Sequence, residues 1–282
     1  MGPTGSSGRE PIRLASFNLR YGSAADGPNH WDLRKGILLD AIQEIDPHVM
    51  GVQECMPFQG DEITMRFPHL GRLGVGRYHG VVVGDRPHES RSGEHCDIFF
   101  DSRRFLAEQC GTFWHSETPD VPGSISWGNN LARITTWAIL RARSGCGRFA
   151  FFCTHYHGSE PCCTKATDLM IERIGTIAAG LAAVVVGDFN LTPDNPNHDR
   201  LTEAAPGGPG LRDVWQVLGK SEQDAGTCHD FDGKPKTRID WILVRALTPV
   251  AIERSLFQRG GRFPSDHFPL VAYFEPSGVL SA

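Results

Sequence analysis

Short apolar runs punctuate the chain from end to end, and they constrain its fold more than any other feature. They lie at 12–17, 48–52, 78–83, 97–100, 134–140, 148–154, 182–186, 239–244 and 269–274. Brief apolar segments between turn signals are the mark of buried strands. Helical spacing is found at 31–45, where Ile37, Leu38, Ala41, Ile42 and Ile45 share one face and Asp46-Pro47 forms the stop, and again at 164–179. The segments at 84–94 and 206–210 read as loops, 113–130 as a long structured loop, and 145–147 as a turn. Strands outnumber helices and both kinds run the whole length, with no central linker and no internal repeat. One mixed α/β domain over 11–282 is expected, with two sheets packed face to face and helices outside. Residues 1–10 read as a Gly/Ser-rich tail or cloning remnant.

Charge narrows the partner. The 282 residues carry a formal net charge of -5 and no run of Lys and Arg. Proteins that grip long nucleic acid usually present a basic face, so a small phosphoester is favoured over duplex DNA. Neither a membrane-spanning apolar run nor a signal peptide is visible, although a leader removed earlier would leave no trace. The eight cysteines show no zinc-binding spacing, and the adjacent Cys162 and Cys163 are poorly placed to bridge each other. Reduced thiols in the cytoplasm are expected.

The strand ends carry the chemistry. Asn18 follows Phe17, Glu54 follows Val52-Gln53, His155 follows Cys153-Thr154, and Asp188 and Asn190 follow a Val-rich run. Asp240 adjoins Ile239, and Asp266-His267 precedes Phe268-Pro269. Brought together, these ends form a cup of oxygen ligands rimmed by imidazoles. Such ligands suit Mg²⁺ or Mn²⁺, hard cations that prefer carboxylates and amides. A metal that polarises a phosphoryl oxygen, with a histidine–aspartate pair as base, is a phosphoester hydrolase's equipment.

At these residues the sequence resembles the endonuclease/exonuclease/phosphatase superfamily. The signature set is Asn18, Gln53-Glu54, Gly187-Asp188-Phe189-Asn190, Arg238-Ile239-Asp240-Trp241 and Ser265-Asp266-His267-Phe268-Pro269, in order over about 12–275. The stretches 111–119 and 133–137 are similar to a bacterial subgroup of undefined substrate. The resemblance implies a DNase-I-like four-layered α/β sandwich with the active site at one edge of the two sheets. It also implies roles: Glu54 as principal metal ligand, Asn18 and Asp266 completing or flanking the metal site, and Asp188 and Asn190 orienting water and phosphate. His267 is then the base or a phosphate-polarising group, Asp240 its carboxylate partner, and His155 a phosphate contact. The chain departs from the subgroup after Thr154-His155, where Tyr156-His157 places an imidazole at an expected acid and Glu160-Pro161-Cys162-Cys163 follows.

Around this set, alternatives stay open. Arg133 either binds phosphate or pairs with a carboxylate inside the fold. His157 is either a substrate contact or a loop histidine without a role. Glu94, His95 and His115 have both cleft and structural readings, and Trp31, Trp114 and Trp127 either stack on a base or sugar or pack against the core. The sequence thus points to a Mg²⁺- or Mn²⁺-dependent hydrolase of a phosphodiester or phosphomonoester on a small phosphorylated molecule or nucleotide. A DNA or RNA nuclease is the alternative within that class. A scaffold turned to other biosynthetic chemistry and a non-catalytic binding module are the alternatives outside it. The oligomeric state is not legible.

Overall fold

The computed structural model describes residues 10–80, 92–145, 147–202, 208–223 and 225–276. Most of the expected tail lies outside them, as do 84–91 of the polar loop, 206–207 of the later loop and Cys146 of the turn.

Two six-stranded mixed sheets form the centre. The first contains β1 (Ile12–Asn18), β2 (Val49–Cys55), β3 (Leu70–Leu73), β4 (His95–Asp101), β11 (Pro249–Arg254) and β12 (Leu270–Phe274). Its order is β11-β12-β1-β2-β4-β3. The second contains β5 (Phe105–Trp114), β6 (Ile134–Ala142), β7 (Arg148–His155), β8 (Ala182–Asp188), β9 (Arg212–Asp213) and β10 (Asp240–Arg245), in the order β5-β6-β7-β8-β10-β9. Only β1–β2 and β7–β8 pair in parallel; every other neighbouring pair is antiparallel. A parallel pair needs a crossover, usually a helix. α1 (Trp31–Ile45) lies between β1 and β2 in the chain, and α3 (Cys162–Ile177) between β7 and β8.

Three apolar clusters account for the layers. Leu14, Ile98, Leu140, Phe151, Val186 and Ile242 belong to the cluster between the sheets. Leu38, Ile42 and Ile45 of α1 pack on Ala15, Phe17 and Phe99 of the first sheet. Ala166, Met170 and Ile174 of α3 cover Phe152, Val185 and Leu243 of the second. Helix, sheet, sheet, helix is the order of layers. Gly51 brings the sheets close, because a Cβ there would lie 2.4 Å from Val186 Cγ2 and 2.9 Å from Cys153 Sγ. Any side chain at that position would push apart the strand ends that build the site.

The spacing at 31–45 gives α1 residue for residue, and Asp46 caps it with a left-handed φ of 45°. The second expected helix begins at Cys162 instead of Thr164. The strand expected at 78–83 is not found in its described part. Tyr78 to Gly80 form a turn closed by His79 N–H donating to Gly76 O at 2.8 Å, and 81–83 lie outside the described residues. β3, β5, β9, β11 and the helices α2 (Pro57–Arg66), α4 (Pro196–Thr202) and α5 (Val214–Val217) were not expected from the sequence. β5 ends inside what reads as loop, at Phe113 and Trp114, and carries exposed residues through its middle, since it is an edge strand. Among the described residues no helix is long and apolar enough to cross a membrane, and the seven described cysteines are free.

Candidate active site

Four of the site residues sit at carboxyl ends of the two parallel strand pairs. β1 delivers Asn18, β2 Glu54, β7 His155 and β8 Asp188. Asp240, the first residue of the antiparallel β10, lies opposite Asp188 in register. His267 comes from the segment before β12 and forms an isolated bridge with Cys228.

Glu54 reaches the cup because the strand breaks alternation there. Its φ is 55°, and the β2–β4 register shifts between Val52 and Cys55. A non-glycine residue in this region costs about 1–2 kcal/mol. One carboxylate oxygen accepts the Tyr21 N–H at 2.9 Å and the other the Asn18 amide at 3.2 Å. Asn18 Nδ2 also donates to Asp188 Oδ2 at 3.0 Å. Its Oδ1 accepts the Arg20 N–H at 2.9 Å, which fixes which end of the amide faces the carboxylates. Asp188 Oδ1 accepts from Asn190 N at 2.8 Å, with Asn190 itself at a φ of 52°. His267 Nδ1 lies 2.8 Å from Asp240 Oδ2, and His267 Nε2 lies 4.0 Å from Asp188 Oδ2. His155 Nε2 is 3.5 Å from the same Asp188 oxygen.

Ligand atoms of Glu54, His155 and Asp188 lie within 4.8 Å of one another, as do those of Asp188, Asp240 and His267. Asp266 stands at the flank. Its Oδ1 lies 3.2 Å from Ser265 Oγ and its Oδ2 3.7 Å from Arg20 Nε.

Concentrated negative charge is the site's electrostatic signature. Burial, and then the neighbouring Asp240 carboxylate, push Asp188 up to about 7. Burial likewise raises Asp266. For His267, burial opposes protonation, but the Asp240 carboxylate outweighs it and holds the imidazole well above its ordinary value. His155 is driven the other way, by burial and by Arg133 and Arg77. Asp240 Oδ1 is buried without a hydrogen-bond partner. Crowded carboxylates, one raised in pKa and another with an orphaned oxygen, form a set that fits a divalent cation.

The remaining expected residues separate. Asn190 joins the cup's rim, its Nδ2 donating to Tyr156 O at 3.1 Å. Arg133 lines a recess shared with His155. His157 is half-buried on the loop, where Ser159 N–H and Oγ approach its Nδ1 at 3.3 and 2.9 Å. Glu160, in the divergent loop, is held by Cys163, Thr164 and Asn197 and does not enter the cup. Trp31 and Trp114 are core residues, and His115 is buried against Thr135 at 2.8 Å.

Three supporting residues escaped the sequence. Arg34 is buried in α1 and donates to the carbonyls of Leu19, Arg20, Asn29 and Pro264. Gln59 holds Gly22 N–H at 2.8 Å and the Arg20 carbonyl at 3.0 Å. Arg77 pairs with Glu94 at 2.7 Å. The one available signal was Arg34 itself, a cation within the apolar stripe of α1.

The chain is similar to several known proteins. The chain is 26% identical to an endonuclease/exonuclease/phosphatase from Bacteroides vulgatus, with a TM-score of 0.83 over 95% of this chain and 99% of that one. A mannosyl-6-phosphatase from Bacteroides thetaiotaomicron is 27% identical, with a TM-score of 0.77 over 93% and 99%. An uncharacterized protein of Acanthamoeba polyphaga mimivirus is 26% identical over 184 residues, 61% of this chain and 66% of the viral protein's length. A family model matches residues 15–267, a span that runs from β1 to the histidine of the cup, and the chain therefore belongs to the endonuclease/exonuclease/phosphatase family.

Proposed function

We propose that the protein is a divalent-metal-dependent phosphoesterase acting on a small phosphorylated molecule. The observation that carries this is the convergence of Asn18, Glu54, His155, Asp188, Asp240 and His267 within one hydrogen-bonded cup. Glu54 would hold Mg²⁺ or Mn²⁺, with Asp266 at the flank and Asn18 orienting the Glu54 and Asp188 carboxylates. The bound ion would supply polarisation of a phosphoryl oxygen and neutralisation of developing charge.

The chain's own residues do the rest. His155 contacts the phosphoryl group from the rim. Asp188, fixed by Asn190 N–H and the Asn18 amide, orients the attacking water and takes its proton. Asp240 orients His267 so that Nε2 faces the cup, where the imidazolium offers a proton to phosphoryl or leaving oxygen. The mannosyl-6-phosphatase relative supports a small phosphorylated substrate, as does the net charge of -5.

The test is an ester panel (p-nitrophenyl phosphate, sugar phosphates, mononucleotides, bis-p-nitrophenyl phosphate, single-stranded DNA) with Mg²⁺, Mn²⁺ or chelator. Wild type should turn over at least one small ester only with metal. Glu54→Gln should lower that rate by about 10²-fold or more, with a Tm close to wild type, because Glu54 is not fully buried. Undiminished turnover by the variant at saturating Mg²⁺ would remove Glu54 from the site. Cleavage of DNA alone would replace the small-molecule reading with a nuclease.

A further inference from the structure

Beside the cup lies a recess that the roles above do not use. Arg77, Glu94, His95, Arg133, Ile134 and His155 line it, and its cavity volume is about 10 Å³, room for one water-sized group. That is below the roughly 300 Å³ at which pockets for drug-sized ligands begin. The recess adjoins the cup through His155, whose Nε2 is the atom 3.5 Å from Asp188.

Its charges do not balance. Glu94 is engaged by Arg77 at 2.7 Å. Arg133 Nε and Nη1 are buried and have no hydrogen-bond acceptor. A guanidinium is always charged and has only donors to offer. Leaving buried donors unmet costs about 1–3 kcal/mol, more when the group is charged. An arrangement of this kind is stable when an anionic oxygen arrives to fill it.

We propose that Arg133 receives unesterified oxygens of the substrate's phosphoryl group, so that the enzyme selects phosphomonoesters over phosphodiesters. This rests on the phosphoesterase reading above. A monoester presents three terminal oxygens and close to two negative charges at neutral pH. The unmet Nε–H and Nη1–H of Arg133 each offer a charge-assisted hydrogen bond to such an oxygen. A diester gives one of those positions to a second organic group, which a recess of this size, walled by the Arg77–Glu94 pair, does not admit. In the reaction the water oxygen bonds to phosphorus and the ester P–O bond breaks. The water's proton passes to Asp188, the leaving oxygen takes a proton from His267, and the products are an alcohol and inorganic phosphate.

The experiment compares p-nitrophenyl phosphate with bis-p-nitrophenyl phosphate in saturating Mg²⁺, for wild type, Arg133→Met and Arg133→Lys. Wild type should favour the monoester by about 10²-fold in kcat/KM. Arg133→Met should lower monoester kcat/KM by about 10²-fold, change the diester by less than about threefold, and weaken inhibition by inorganic phosphate about tenfold or more. Arg133→Lys should recover part of the loss. If Arg133→Met does not fold, the wild-type ratio and phosphate competition decide the matter. A wild type that prefers the diester, or a folded variant that loses both activities equally, overturns the inference and leaves the reaction class standing. No metal-dependent turnover of any ester by wild type sinks the phosphoesterase reading and takes this inference with it.

Discussion

His267 and Asp240 give the sharpest residue-scale prediction. The carboxylate lies 2.8 Å from Nδ1, so it sets which ring nitrogen faces the cup. Asp240→Asn keeps the shape but loses the charge that favours the imidazolium. Its kcat should fall by about 10²-fold or more, with KM little changed. His267→Ala should fall at least as far, and the double variant no further than the worse single, because the two act as a unit. A fall seen mainly in KM would make the pair a binding element. These two residues stood out in the sequence because Asp240 lies inside an apolar run and His267 shortly before one. The state of Arg133 was not, since two readings were open; in the structure its Nε and Nη1 are buried without a hydrogen-bond partner.

At the level of elements, the cup is held from behind by α1. Arg34 is 1% exposed and its guanidinium spans four carbonyls, two of them in the loop leaving β1 and one, Pro264, just before Ser265-Asp266. One side chain thus joins two segments of the cup that are far apart in sequence. Arg34→Met would strand the buried carbonyls of Leu19 and Pro264 at about 1–3 kcal/mol each. The variant should melt lower and need about tenfold or more Mg²⁺ for half-maximal activity, the usual effect of losing outer support for a metal site. An unchanged Mg²⁺ requirement in a folded variant would make the clamp purely structural. The elements that position the site were the readable ones, since β1, β2, β7, β8 and α1 are buried and announce themselves by apolar pattern. β5, β11 and α2 were not, because edge strands and a helix burying only Gln59, Gly60 and Ile63 carry weak patterns. The turn at Tyr78 shows the opposite failure, an apolar pattern whose backbone was turned aside by local hydrogen bonding.

For the molecule as a whole, buried neutral histidines set the acid limit. Burial holds His48 down to about 4, and burial with nearby Arg133 holds His115 down to about 3. The unfolded chain binds these protons near pH 6.5. Between pH 6.5 and 4 the unfolded state therefore binds more protons, and folding stability rises with pH. The stabilisation is complete above about 6.5 and lost as pH falls through 4, on the order of 3 kcal/mol for His48 alone. Urea unfolding of wild type and His48→Gln at pH 7 and 4.5 should show a smaller acid loss in the variant, whose amide can still accept the Arg13 N–H now received by Nδ1 at 3.1 Å. Identical losses would clear His48 of that role. The two sheets, finally, share one pattern of pairing senses, antiparallel, antiparallel, parallel, antiparallel, antiparallel. Matched by that order, Asn18 takes the place of His155, and Gln53-Glu54 the place of Asp188. The pairing pattern thus repeats in the two sheets, and the site draws on the ends of the matched strands. Phosphoryl transfer has no such repeat, for water enters on one side of phosphorus and the alcohol leaves on the other. Equivalent positions must then carry unlike side chains, so the repetition is kept in the ladders and erased from the amino acids.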